Sequence, residues 1–140
     1  MLGIISFILH FTWEWFQCGP FFIHRGTQAS PISKVLASLR DVILTFLIIV
    51  LASFLGRFDR SLKELKTTRG LILIEIIAFA TAIAVEKFAL ATNCWSYTDF
   101  NPLLPLLDVS VLPILQLTLL TPVVVYTSFL LGNALLEMHF

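Results

Sequence analysis

The chemistry this sequence can offer lies in three acids, two amides and a histidine. His10, Glu14 and Gln17 stand at i, i+4 and i+7 in the string HFTWEWFQ. That spacing puts all three on one face of a helix, and the other faces are apolar or aromatic. Asp41 follows Arg40 at the head of a second apolar run. Glu86 precedes Lys87 near the end of a third, and Gln116 lies in the first turns of a fourth. A carboxyl group shut away from water tends to keep its proton and can then act as a proton donor. One matched by a cation stays charged and serves as a base or counter-charge. Aromatic faces such as those of Trp13, Trp95 and Tyr97 stabilise developing positive charge. The pattern points to Glu14 as the acid and to Glu86 or Asp41 as the base or counter-charge. Trp13, Gln17, Trp95, Tyr97, Gln116 and His10 would line the substrate. Such a set suits proton-driven isomerisation or cyclisation of an apolar molecule, an isoprenoid or a lipid tail.

Membrane helices are the elements that must position these residues. Charged residues make up 13% of the chain and hydrophobic ones 58%, against about 25% charged in an ordinary soluble domain. A bilayer core about 30 Å thick asks for about 20 mostly apolar residues per helix. Four segments meet that length: about 2–23, 39–55, 70–91 and 112–131. Strands with open edges would leave backbone groups unsatisfied in lipid. The expected fold class is therefore all-α, a single-domain polytopic integral membrane protein built as a bundle of four transmembrane helices. Segment 99–111 is too apolar for a solvated loop and too broken by Pro102 and Pro105 to span. It is expected to lie in the interface or to dip back in.

Lys and Arg set the orientation. Arg57, Arg60, Lys63, Lys66 and Arg69 crowd one connection, and the last connection holds no Lys or Arg. The positive-inside rule puts 56–69 in the cytoplasm, and both termini with it. At 1.5 Å per residue Glu14 then lies about 18 Å from Leu2, and Glu86 about 24 Å from Gly70. Glu14, Gln17, Asp41, Glu86 and Gln116 come to one depth in the outer half, with Lys87, Arg40 and His24 as nearby cations. Glu75, Ala78, Ala82 and Glu86 share a helix face, and the alanines let a neighbour approach closely. Plainer roles compete with this reading. Trp15, Lys87 and Arg40 suit an interfacial belt, and Asp41 could cap its helix or pair with Arg40.

Other classes find little footing. The first segment has no Lys or Arg ahead of its apolar run, so it reads as a retained helix and not as a secretory signal. Cys18 and Cys94 read as two buried thiols, with a disulfide as the alternative in an oxidising compartment. Neither CxxC nor a Cys/His metal spacing occurs, so no metal or cofactor is expected. A zero net charge and the lack of a basic aromatic stripe argue against nucleic acid.

The strings HFTWEWFQCGPFF and WSYTDFNPLLPLLDVSVLPILQ, with Asp41 between them, resemble a family of small bacterial four-helix membrane proteins. That family carries a WE-x-x-Q-x-x-P first helix and a W-x-Y…P-x-x-P…LQ segment before the last. The matching positions are Trp13, Glu14, Gln17, Pro20, Asp41, Trp95, Tyr97, Pro102, Pro105 and Gln116. The resemblance implies the architecture, a bacterial inner membrane and this site, and names no reaction. More weakly, the last third is similar to small membrane-embedded carotenoid (lycopene) cyclases, which implies an isoprenoid substrate. It departs from them in having Asp108 and then Gln116 where they carry paired acids. A non-catalytic subunit or assembly factor of a larger membrane complex is the alternative, and proton-coupled transport by an oligomer the third. Expected partners are membrane lipids and either further copies of the chain or the complex it serves.

Overall fold

The structure, a computed structural model, describes residues 1–58 and 62–137, with the backbone alone at 62 and 135–137. Arg60 of the basic connection and His139 lie outside the described residues.

Helix α1 spans Leu2–Gln17. Its four buried residues are Ser6, His10, Glu14 and Gln17, all polar, while Ile4, Ile8 and Phe16 face outward. The expected continuation to residue 23 does not occur. Gly19 and Pro20 follow, and proline has no N–H to extend the helical ladder. The chain turns instead into strand β1, Phe22–His24, which pairs antiparallel with β2, Trp95–Tyr97. Phe22 stands opposite Tyr97, and His24 opposite Trp95.

Helix α2 covers Pro31–Gly56 and begins well ahead of the expected residue 39. Ser30 caps it by accepting the Ser33 N–H at 3.1 Å, and Pro31 occupies its first turn. Both are standard helix starters. Asp41 therefore lies inside α2 and not at its head, so the capping role falls to Ser30. Arg57, at φ 52°, closes the helix. A short helix α3, Leu62–Leu65, precedes α4, Thr68–Ala91, whose cap is the Thr67 hydroxyl accepting from the Gly70 N–H at 3.3 Å. Helix α5, Val111–Glu137, runs through Pro122.

The four long helices pack in the order α1–α2–α4–α5, with α5 returning to α1. Ala78 and Ala82 are fully buried on α4, as small residues at a helix contact should be. Glu75 is exposed, contrary to the face expected for it, and Ile74 takes the buried place. Inside the bundle the core has two levels. At the end carrying the basic connection it is apolar, with Ile48, Ile49, Ala52, Leu65, Ile74 and Ile77. Toward the other end it turns polar, with His10, Glu14, Gln17, Asp41, Thr45, Glu86 and Gln116 all buried.

The helical expectation holds for the bulk of the chain but not for the connections at the polar end. Two small ribbons stand there. Segment 99–111 forms a hairpin, in which β3, Leu103–Leu104, pairs with β4, Val109–Ser110. Its tip places Leu106 at φ 75° and Asp108 at φ 51°, and Leu106 is fully exposed. The prolines deny this segment a helix, and the ribbon supplies the backbone partners a helix would have given.

By length and composition α2 (Pro31–Gly56) and α5 (Val111–Ala134) are long and apolar enough to cross a membrane. Helix α1 is shorter, with 16 residues, about 24 Å at 1.5 Å per residue.

A Cβ at Gly70 would meet the Leu65 carbonyl oxygen at 2.5 Å and that of Glu64 at 2.7 Å, whereas one at Gly132 has nothing closer than 4.0 Å. Thermal unfolding in detergent should show Gly70→Ala losing about 1–3 kcal/mol. Gly132→Ala should unfold at or above the unsubstituted protein's temperature, because alanine favours the helix.

Candidate functional site

Helix α1 turns three polar side chains inward because residues at i, i+4 and i+7 share one face. Gln17 is the first junction. Its Nε2 donates to Glu14 Oε1 and to Gln116 Oε1, both at 2.9 Å, and its Oε1 accepts from the Trp13 indole at 2.7 Å. Gln116, carried in by α5, is the second. Its Nε2 donates to Asp41 Oδ2 at 2.8 Å and to His10 Nδ1 at 3.0 Å. Each amide thus spends both its hydrogens and its oxygen. Since His10 Nδ1 accepts, the ring proton sits on Nε2, which donates to Thr45 Oγ1 at 2.9 Å. His10 is held as the neutral Nε2–H tautomer.

The acids differ in how completely they are matched. The Glu14 carboxyl takes Gln17 on one oxygen and the Cys18 thiol, at 2.7 Å, on the other. Asp41 receives Gln116 on Oδ2, and on Oδ1 the Nε and Nη2 of Arg40, at 2.9 and 2.7 Å. Glu86 receives the Tyr97 hydroxyl on Oε2 and nothing on Oε1, although Oε1 is shut from solvent. Tyr97 also accepts the Ser110 N–H at 3.0 Å, which ties the acid to the root of the hairpin. Burial first, and then its contact with Glu86, pushes the Tyr97 phenol up. It keeps its proton and acts as donor. Burial, and then the charge of Arg40, lowers His24, so that its ring is neutral at pH 7.

A small cavity of about 20 Å³ lies among these groups, lined by Glu14, Gln17, Cys18, His24, Arg40, Glu86 and Trp95. That is room for about one water-sized oxygen. The Arg40 guanidinium stacks over the Trp95 ring, 5.2 Å from its centroid. Trp95 also meets His24 and Phe22 ring to ring, so the β1–β2 pairing makes the outer wall. On the flank between α1 and α5 a separate groove of about 440 Å³ opens to the outside of the bundle. Leu9, Trp13, Phe16, Phe21, Leu112 and Leu120 line it with Thr12, and Gln17 is its polar floor.

Of the residues expected at the site, His10, Trp13, Glu14, Gln17, Asp41 and Gln116 fall into one hydrogen-bonded network. Glu86, Trp95 and Tyr97 form a second group across the small cavity from Glu14. Lys87 is not part of either, and its ammonium donates to the Leu107 carbonyl. Arg40 is the cation that reaches the acids. Both cysteines are free thiols, and Cys18 joins the site as a donor to Glu14. Sequence reasoning missed that role, though Cys18 stands at i+4 from Glu14. It also missed Thr45, at i+4 from Asp41, and both were legible by continuing those helix faces. Asn101 carried no such signal. Its side chain bonds the Phe21 carbonyl and the Ser110 hydroxyl, at 2.9 and 2.7 Å, and fastens the two outer connections together.

The chain as a whole matches no family model, no curated protein and no solved structure.

Replacing Gln116 by leucine would leave Asp41 Oδ2, His10 Nδ1 and a Gln17 hydrogen unpaired in the interior. A stranded buried polar group costs about 1–3 kcal/mol. Gln116→Leu should therefore unfold at clearly lower temperature than Thr118→Ala two residues on, with helix content by circular dichroism unchanged before the transition.

Proposed function

We propose that the chain is a small polytopic membrane protein whose four long helices span the bilayer. In this reading it acts on an apolar isoprenoid or lipid molecule by acid/base chemistry in the outer half of the membrane. The observation that carries the reading is the flank groove between α1 and α5, whose apolar walls end on Gln17, the junction of the buried acids. An apolar molecule could reach the polar layer sideways from the membrane without crossing water.

The exterior favours the membrane reading. Helix α1 buries only polar residues and shows Ile4, Ile8 and Phe16, while Ile72, Ile76 and Phe88 of α4 face outward too. Water would penalise that arrangement, whereas lipid accepts it. The basic connection 56–69 is then cytoplasmic by the positive-inside rule, and the exposed hairpin tip at Leu106 rests in the opposite interface. This fits the resemblance to small bacterial four-helix membrane proteins, and with it an inner-membrane location.

Within the reading the acid roles shift. Protein donors occupy both oxygens of Glu14, which makes it a poor donor to a substrate. Glu86, with Oε1 unpartnered beside the cavity, is the better proton donor or acceptor. Glu14 and the Arg40–Asp41 pair set the charge around it. The self-satisfied bonds among Gln17, Gln116, Asp41 and His10 favour a second reading, in which they only fasten helices in a subunit of a larger complex.

Two measurements test this. Cysteines placed at Lys66 and Asp99, in a chain lacking Cys18 and Cys94, should react with an impermeant maleimide from opposite sides of the membrane. Labelling of both from one side would reject the four-span topology. Native mass spectrometry from nanodiscs should find one lipid or isoprenoid per chain, lost when Leu120→Trp fills the groove. Stoichiometric partner proteins without bound lipid would favour the subunit reading.

A further inference from the structure

The small cavity leaves three shielded polar atoms without partners: Glu86 Oε1, Trp95 Nε1 and His24 Nε2. All three residues line it. Glu86 is 1% exposed, so water outside the protein does not serve its carboxyl. The Trp95 indole is a donor directed at that carboxyl, but it stands outside the distance and angle of a formed hydrogen bond. The indole can only donate, an ionised carboxylate oxygen can only accept, and neutral His24 can do either.

One chemical group meets all three at once. A hydroxyl donates its hydrogen to Glu86 Oε1 and accepts from the Trp95 N–H, leaving a second lone pair for a His24 Nε2–H. The volume of about 20 Å³ suits one oxygen. Larger heads fail on size and charge. A phosphate or a carboxylate would face the carboxyls of Glu14 and Glu86 with Arg40 as the one guanidinium in the lining, itself already bonded to Asp41. An ammonium head has no lone pair for the Trp95 N–H.

The geometry points to a long-chain apolar alcohol as the ligand of this protein, its terminal hydroxyl seated between Glu86, Trp95 and His24. This rests on the lipid reading above and narrows it to a substrate class. The tail would lie in the flank groove and would have to pass Gln17, the side chain that lines both spaces. A resident water offers the same hydroxyl chemistry, and only a tail-bearing ligand separates the two.

The test uses the full chain in nanodiscs and three probes with one identical isoprenoid tail, ending in hydroxyl, carboxylate or phosphate monoester. Binding is read by competition against the radiolabelled alcohol. The alcohol should saturate one site per chain, with the two anions at least about tenfold weaker, as unpaired and like-charged groups in a buried site demand. Glu86→Gln points an amide N–H₂ into the cavity in place of the acceptor, because Tyr97 still donates to the remaining oxygen. It should weaken the alcohol about tenfold, and Trp95→Phe, outside the helices, should weaken it about five- to tenfold. Unchanged unfolding temperatures keep these losses from being read as misfolding. Equal binding of all three probes, or undiminished alcohol binding in both variants, overturns the hydroxyl site while leaving the groove as a lipid site. Preferred binding of an anion does the same. If none of the three binds, the cavity holds water alone, and the lipid reading falls with the alcohol.

Discussion

Buried carboxyl groups must find donors at their own height, and the bundle is arranged around that demand. Removing a charged group from water costs several kcal/mol even after the protein relaxes. Glu14, Asp41 and Glu86 lie within a shell of apolar helix faces, so each needs donors close at hand. Gln17 and Gln116 meet much of the need because an amide carries two hydrogens and an acceptor on one rigid plane. Together they link α1, α2 and α5 through Glu14, Asp41 and His10. Sliding α1, α2 or α5 by a turn would break more than one of these bonds at once. The register of the bundle at this end is thus set by hydrogen bonds, and at the other end by the packing of Ile48, Ile74 and their neighbours.

The connections at the polar end follow from the same demand. The chain that leaves α1 ahead of Gly19–Pro20 needs backbone partners, and the β1–β2 pairing supplies them for residues 22–24. That pairing also sets Trp95 against His24 and Phe22 and brings Tyr97 to Glu86. Asn101 and Ser110 then hold the hairpin against Phe21. The outer connections are consequently not loose loops. They form the lid and one wall of the cavity, and they bring Glu86 its one hydrogen-bond donor.

Selective satisfaction separates structure from chemistry in such a site. Where every hydrogen and every oxygen has a partner, as at Gln17, Gln116 and Glu14, the group is fixed and its reactivity is muted. Where one oxygen is left over, as at Glu86, the fold holds an unmet hydrogen bond beside a space of matching size. Polar networks of this kind rigidify a core when complete. Their unfinished edge is where a ligand gains most.

The sequence by itself determined the long apolar helices and the inward face of His10, Glu14 and Gln17. Those follow from helical periodicity and a fixed rise per residue, which are local rules. It also held readable clues that were passed over, namely the Ser30–Pro31 start of α2 and the i+4 partners Cys18 and Thr45. Only the tertiary structure decided that Asp41 meets Gln116, that Lys87 turns away to Leu107, and that Glu86 retains an unpartnered oxygen. It alone paired residues 22–24 with 95–97 and folded 103–110 into a hairpin. These are contacts between segments far apart in the chain, fixed by which donors and acceptors meet once the helices pack, and no local pattern encodes that meeting.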